Sequence, residues 1–170
     1  MNSTTISQSI DTASGLTEYL TFSVRTVTCA VPVTHAQTVL EASKITPIPG
    51  MPLGMQGVID FRGMTIPVID LASLLFTEDH QQSRDEQTAG NVHVIVLETE
   101  RGGEPFIFAA IVDQVDQVID ISPELLTTGA DLQYGLDYTA VSAIARLDTT
   151  MIIILSVDGI VGEAGIDRER

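Results

Sequence analysis

The amino-acid sequence predicts an all-β domain, built as a barrel or a sandwich with short helices. Roughly nine short runs are rich in aromatic and β-branched residues, glycine-containing turns separate many of them, and apolar residues rarely recur at helical spacing. With 170 residues, of which 44% are hydrophobic, the chain is long enough for one domain with a sizeable core. It is too short for two ordinary independent domains.

The first half of the chain carries four strand-like runs, each short and bounded by turn residues: residues 19–24, 29–33, 58–61 and 65–69. The first two runs predict a hairpin. Residues 34–42 predict one or two helical turns, with Thr34 as N-cap and Val39 on the buried side. Residues 71–76 predict a short helix that closes this unit.

The second half continues with short apolar strands at residues 92–98, 106–112, 115–121, 141–147 and 151–157. Residues 77–91 contain no apolar side chain larger than alanine, so they predict a mobile loop. We expect the domain to span residues 18–162, between a flexible N-terminal segment at 1–17 and a C-terminal tail at 163–170. The expected core includes Phe22, Val31, Ile59, Ile69, Val96, Phe108, Ile111, Ile153 and Leu155.

The most informative segment is residues 49–71, which reads PGMPLGMQGVIDFRGMTIPVIDL. Gly63 stands where a hairpin turn needs a residue that accepts a positive φ, so Arg62 is held at a tight turn. Arginine combines planar stacking with directed hydrogen bonds and is enriched at interface hot spots. We therefore expect Arg62 to anchor a partner. The alternative is an exposed turn residue in a surface ion pair worth ~0–1 kcal/mol.

This segment resembles the motif GV-x-N-x-RG-x-x-x-P-V-x-D-L of CheW-type coupling proteins, the adaptors that link chemoreceptors to the histidine kinase CheA in bacterial signalling. Residues 45–49 resemble the approach to that motif, and residues 111–119 (IVDQVDQVI) resemble the family's VD-x-V-x-x-V. A further family motif lies at the last predicted strand, residues 151–157. There Ser156 replaces a frequent Asp or Asn. The resemblance implies two small β-barrel lobes around a shared hydrophobic seam, and a non-enzymatic scaffold with no cofactor.

The resemblance also implies where a CheA-like histidine kinase binds through its regulatory domain. Ala36 and Gly57 match positions near the kinase-facing surface, where small side chains leave room for a partner. Thr38 and Val39 are further candidate partner-binding residues. Thr38 departs from the family pattern, which commonly has glutamate there as the partner of the turn arginine.

The cytoplasmic tip of a chemoreceptor is the second implied partner, at Arg62, Val115 and Val118. Core packing is the alternative role for both valines. Without the family's usual glutamate, Arg62 pairs with another group, such as Asp60 or Glu41, or stays solvated. Such departures point to a divergent signalling system, for example one that controls twitching pili.

Composition excludes several kinds of partner. The formal net charge of −15 repels phosphate backbones and anionic headgroups, so we expect neither nucleic acid nor direct membrane insertion. No apolar run approaches the ~20 residues of a spanning helix, and residues 1–15 lack a secretory signal. These observations predict a cytoplasmic protein, recruited to membrane receptor arrays through its partners.

The reactive side chains do not form a recognisable active site. His35, His80 and His93 are scattered, and the chain has no HExxH, GxSxG or phosphate-loop motif. We therefore expect no catalytic, cofactor or metal residues, although a small hydrolase or metal enzyme remains the rival class. Cys29, the single cysteine, is expected to be a small core residue. A free-standing adaptor for a non-chemotactic kinase is the other alternative.

Overall fold

A computed structural model of the chain describes residues 3–5, 15–42, 44–52, 54–76, 92–128 and 139–166. Strands dominate these ranges. The strands are β1 (Ser3–Thr5), β2 (Thr17–Val24), β3 (Val27–Pro32), β4 (Ala36–Ala42), β5 (Met55–Phe61), β6 (Met64–Asp70), β7 (Val92–Arg101), β8 (Glu104–Val112), β9 (Gln114–Ile121), β10 (Leu126–Thr128), β11 (Val141–Leu147) and β12 (Thr150–Leu155). The helices are α1 (Leu71–Leu75) and α2 (Val157–Glu163), and 3₁₀ turns lie at Val33–His35 and Pro123–Leu125.

The strands form two six-stranded sheets. Sheet A has the order β1-β4-β7-β8-β6-β5, and sheet B has the order β10-β11-β12-β3-β2-β9. In sheet A, Thr46 and Val58 exchange two backbone hydrogen bonds of 2.9 Å, which bring the chain leaving β4 onto the outer side of β5. This contact curls sheet A towards a closed barrel, here called lobe A; sheet B forms lobe B.

Five strands of each sheet have the same spatial order, although the chain visits them in a different sequence. The order β5-β6-β8-β7-β4 in lobe A matches β11-β12-β3-β2-β9 in lobe B, with the parallel pair in the same place. A short helix follows the equivalent strands β6 and β12. Asp70 caps α1 by accepting a hydrogen bond from Ala72 N at 3.1 Å, and Ser156 caps α2 by accepting one from Gly159 N at 3.1 Å. Serine therefore performs the capping that aspartate performs in the other lobe.

Three apolar clusters hold the structure together. One lies within lobe A and includes Val68, Val96 and Ala109, and a second lies within lobe B and includes Ile121 and Ile154. The third takes residues from both sheets and both helices: Leu20, Phe22, Val31, Ile69, Leu97, Phe108, Leu71, Ile160 and others. We call this third cluster the seam. Two lobes around a shared seam confirm the predicted fold.

Most predicted strands and the short helix at 71–76 are present in the structure, and eight of the nine expected core residues are buried: Phe22, Val31, Ile59, Ile69, Val96, Phe108, Ile111 and Leu155. Ile153 is half-buried against the seam, because its neighbours Ile152 and Ile154 point into lobe B. The loop predicted at 77–91 lies outside the described residues. No helix within the described ranges is long and apolar enough to cross a membrane.

Two predictions of local structure were wrong. Residues 34–42 form the end of a 3₁₀ turn and strand β4, whose buried residues Ala36, Thr38 and Leu40 alternate with period two. Pairing with β7 on one side and β1 on the other outweighs the helical pattern. The strand predicted at 151–157 ends at Leu155, and α2 follows because Val157, Ile160 and Val161 bury against the seam. Strands β1 and β10 were not predicted.

Candidate partner-binding site

The tip of the β5–β6 hairpin presents Arg62 to solvent. Arg62 and Gly63 both have positive φ, 50° and 80°, as expected for a two-residue hairpin turn whose twist matches the flanking strands. The Asp60 carboxylate accepts a hydrogen bond of 3.0 Å from Gly63 N and closes the turn. The positive φ of Gly63 was predicted; that of Arg62, which has a Cβ, was not.

The guanidinium of Arg62 stacks on an aromatic ring. Its Cζ lies 4.8 Å from the ring centroid of Phe61, which is buried in lobe A. Such a contact is worth ~0.5–1 kcal/mol at an exposed site, and it leaves the N–H groups at the guanidinium edge to face a partner. Phe61 thus orients the arginine, while Asp60 is engaged by the turn. Phe61 was not among the predicted site residues. The aromatic residue next to Arg62 in the sequence could have indicated the stacking.

Met64 extends the exposed surface of the tip. Its side chain is 45% exposed, whereas Met55 packs against the seam. A flexible thioether next to a fixed cation suits a surface that adapts to a partner. We call Asp60, Arg62, Gly63 and Met64 the hairpin tip.

The second candidate group lies on β9, at the edge of sheet B. Val115 is half-buried and packs against the seam, whereas Val118 is 45% exposed. The two alternatives weighed for these valines therefore separate: Val115 contributes to packing, and Val118 offers apolar surface. Asp116 and Asp120 are exposed beside it.

A β-bulge shapes β9 beneath Val118. Leu20 pairs with Val118 and Phe22 pairs with Val115, so one residue of β2 opposes two of β9. The intervening residue Thr21 is buried, and its hydroxyl donates to Gln117 O at 2.8 Å and accepts from Gln117 N at 3.2 Å. The Thr21 hydroxyl therefore supplies hydrogen-bond partners to the N–H and C=O of Gln117 at the bulge, and it holds β9 against β2 at this point.

The residues expected at a kinase-facing surface are mostly inside the molecule. Ala36 and Thr38 are 1% and 0% exposed, Gly57 is buried, and Val39 is half-buried. Neither Ala36 nor Gly57 offers open surface itself, so their place at a kinase-facing surface stays a prediction. Their small size serves packing within lobe A and the seam.

Gly57 permits the close crossing that curls lobe A. Its φ is 146°, and a Cβ at this position would lie 2.1 Å from the carbonyl oxygen of Thr46. No side chain fits in that space. A role of Gly57 in partner binding would thus act through the geometry of β5, which continues into the hairpin tip.

The structure places the candidates on two lobes. Gly57 and Arg62 share the β5–β6 hairpin, and Ala36, Thr38 and Val39 lie on β4 of the same sheet. Val115 and Val118 lie on the edge strand of the other sheet. The expected kinase-facing residues thus lie in lobe A, whereas the expected receptor-facing residues are divided between Arg62 in lobe A and Val115 and Val118 in lobe B.

The described residues offer no site for metal chemistry. Within these ranges, no group of three or more His, Cys, Asp or Glu side chains converges to hold a metal ion. His35 Nδ1 lies 2.9 Å from the backbone oxygen of Glu98, a structural contact, while His80 lies outside the described residues. Cys29 is fully buried, and burial raises the pKa of its thiol to about 12. That thiol is a core group, as the sequence predicts.

Comparisons with known proteins identify the family. Residues 18–165 match the model of the CheW-like domain. The chain is 31% identical over 147 residues to a chemotaxis protein CheW of Thermotoga maritima, covering 86% of this chain and 88% of that protein. It is 22% identical over 141 residues to a chemotaxis protein CheW of Treponema pallidum, covering 82% and 79%.

A solved structure has the same fold. The crystal structure of the scaffolding protein TtCheW from Thermoanaerobacter tengcongensis superposes with a TM-score of 0.66 at 27% identity, covering 84% of this chain and 90% of that one. Fold, motif and family model agree. This chain belongs to the CheW-like domain family.

Proposed function

We propose that this chain is a non-enzymatic scaffold that couples a CheA-like histidine kinase, through its regulatory domain, to the cytoplasmic tip of a chemoreceptor. The family match over residues 18–165 carries the proposal. The two relatives from Thermotoga maritima and Treponema pallidum are chemotaxis proteins, and the protein of similar structure is a scaffolding protein. The protein would work in the cytoplasm and reach membrane receptor arrays through its partners, without cofactor, nucleic acid or direct membrane insertion.

The hairpin tip and Val118 are the proposed receptor-binding surface. Arg62 supplies a positive charge in a chain of net charge −15, so it favours a partner surface that carries carboxylates. Because Phe61 stacking and the turn already orient the guanidinium, less side-chain entropy is lost when a partner binds. Val118 adds exposed apolar surface, and Val115 supports the strand from the seam side.

The proposed kinase-binding residues are Ala36, Thr38, Val39 and Gly57. Most of them are buried and would affect kinase binding by positioning strands β4 and β5. Val39 is half-buried and is the member of the group with side-chain surface for a partner. Ala36 and Thr38 lie beside it on β4, and Gly57 sets the course of β5 where Thr46 crosses it. We expect Val39→Ala to weaken binding of the kinase regulatory domain in calorimetry, while receptor binding stays unchanged.

Reconstitution with a kinase regulatory domain and a receptor cytoplasmic fragment tests the proposal. Arg62→Ala should weaken receptor binding by more than ~1 kcal/mol, the mark of an interface hot spot, with little change in stability. Arg146→Ala is the matched control, because Arg146 is also exposed but lies on β11. Equal binding by both variants at matched stability would remove Arg62 from the interface.

The proposal as a whole is tested by which proteins the chain retains from its native lysate. Retention of both a chemotaxis-type kinase and a receptor is the expected result. Retention of a kinase without a receptor would favour the adaptor for a non-chemotactic kinase. Retention of a kinase from a twitching-motility system, together with its receptor, would show that the controlled behaviour is twitching motility. The scaffold role would be unchanged.

A further inference from the structure

A short strand from the N-terminal part of the chain covers one edge of sheet A. β1 pairs antiparallel with β4, with Thr4 opposite Val39 and Thr5 opposite Thr38. In the described residues, β4 pairs with β7 on its other side, so without β1 it would be the edge of the sheet. β1 also lies outside residues 18–165, which match the family model. The covering strand is therefore separate from the matched unit.

The β4 edge has few of the features that normally protect an edge strand. Charged side chains, prolines, bulges and short length prevent edges from pairing with other chains. β4 has no proline, and Glu41 is its one charged residue. Its bulge lies at Gln37, where the register with β7 shifts between Ala36 and Thr38, and the residues from Thr38 to Ala42 pair regularly.

The other edges of the two sheets are protected. β9 exposes Asp116 and Asp120 and contains the bulge opposite Thr21. β10 has three residues, and β5 is bridged by Thr46. The least protected edge is thus the one that β1 covers.

The cover is weakly held. β1 is three residues long, and the backbone entropy lost on ordering it is similar in size to the net gain from its few hydrogen bonds. Terminal strands of this kind open locally far more often than the sheet beneath them unfolds. The β4 edge is therefore transiently available.

We propose that the β4 edge is a self-association surface and that β1 is its removable cover. β4 of a second copy would pair with it antiparallel about a two-fold axis, in the mode that β1 uses. Centring the pair on Val39 places Gln37 opposite the Glu41 of the copy and Thr38 opposite the Leu40 of the copy. Amide faces carboxylate, and no like charges are opposed, so the edge is complementary to itself.

Removal of the cover tests the proposal directly. Sedimentation velocity compares the full chain with a chain that lacks residues 1–14 and retains the whole family-matched unit. The full chain should be monomeric at micromolar concentration, and the shortened chain should dimerise. A peptide of residues 1–8, added in excess, should restore the monomer. The full chain carries a formal net charge of −15, and residues 1–14 hold only one of its carboxylates, Asp11. Each shortened copy therefore stays strongly negative, and the dimer should strengthen as salt screens the repulsion.

A charge exchange tests the register. In the shortened chain, Gln37→Lys places a cation opposite Glu41 twice in each dimer, which should tighten dimerisation about three- to tenfold. Adding Glu41→Lys then opposes lysine to lysine and should weaken it by a similar factor. Within its own chain, Gln37 Nε2 donates to Glu98 Oε2 at 2.5 Å, a contact that a lysine ammonium retains.

Two results would overturn the proposal. One is a shortened chain that stays monomeric at submillimolar concentration with a native circular dichroism spectrum. The other is a dimer that responds to neither substitution, which would place association on another surface. If the shortened chain does not fold, Thr4→Pro in the full chain removes a backbone donor from β1 and should produce the same dimer. A monomeric, folded Thr4→Pro protein would then count against the cover.

Discussion

At the scale of single residues, Gly57 determines how closely the chain leaving β4 can cross β5. Because a Cβ at Gly57 would meet the Thr46 backbone, Gly57→Ala must displace that crossing. We expect a loss of about 2–4 kcal/mol in the free energy of unfolding, measured in urea. Gly63→Ala is the control, since nothing lies within 4 Å and the positive φ alone should cost about 1–2 kcal/mol. Equal losses would contradict the crossing contact.

Cys29 reports on the seam. Because burial raises the pKa of its thiol to about 12, the thiolate is scarce in the folded protein. A disulfide reagent at pH 8 should label Cys29 slowly in native protein and fully in denaturant. With one cysteine in the chain, the signal has a single source. Fast labelling without denaturant would mean that the seam opens locally.

The same shift predicts loss of stability in alkali. Unfolding restores the ordinary thiol pKa of 9.0, so between this value and about 12 the unfolded chain binds fewer protons than the folded one. Stability therefore falls as the pH rises through this window and is unaffected below it. Cys29→Ala should be less stable at neutral pH but should lose less stability across the window. An identical alkaline decline in both proteins would contradict this role of the thiol.

Residue roles were predictable where they depend on local chemistry. The positive φ of Gly63 follows from a two-residue hairpin, and the burial of Cys29 follows from its apolar neighbours. The burial of Ala36 and Gly57 depends on which distant segments cross them. Thr46, which fills the space above Gly57, has no signal in the sequence around that glycine. Partner-facing roles for these two residues could not be separated from packing before the fold was known.

At the scale of elements, the β9 bulge depends on one hydroxyl. Thr21→Val keeps the shape but leaves the N–H and C=O of Gln117 without the Thr21 partner. We expect a loss of about 1–3 kcal/mol and faster hydrogen exchange across β9. Ser23→Ala is the control, because the Ser23 hydroxyl makes a long contact of 3.5 Å to Gln114 O. Unchanged exchange in Thr21→Val would show that pairing with β2 alone holds β9.

Elements with a strong local pattern were predictable, and those defined by pairing were not. The hairpins at β2–β3 and β5–β6 have alternating polarity and turn residues. β4 carries a helix-like spacing of apolar residues, yet its neighbours on both sides make it a strand. α2 contains Gly159 and Gly162, which weaken helix propensity, and it forms because its apolar face meets the seam. In both cases tertiary contacts outweigh local preference.

At the scale of the whole molecule, the seam couples the two lobes. It takes side chains from both sheets and both helices, whereas each lobe's own cluster is smaller. Neither lobe can keep its seam face dry without the other. The shared strand order of the lobes therefore does not make them independent domains, and unfolding should be a single cooperative transition.

Substitution inside one lobe tests this coupling. Ile154 is buried in the lobe B cluster, so Ile154→Ala should cost about 2–5 kcal/mol. If the lobes unfold together, native-state hydrogen exchange should accelerate by the same factor in the most protected amides of β7 and β8, which lie in lobe A, as in those of β12. Val96→Ala in lobe A should produce the reciprocal effect in lobe B. Acceleration confined to the substituted lobe would show that the seam separates before either lobe unfolds, and the scaffold would then have two independent halves.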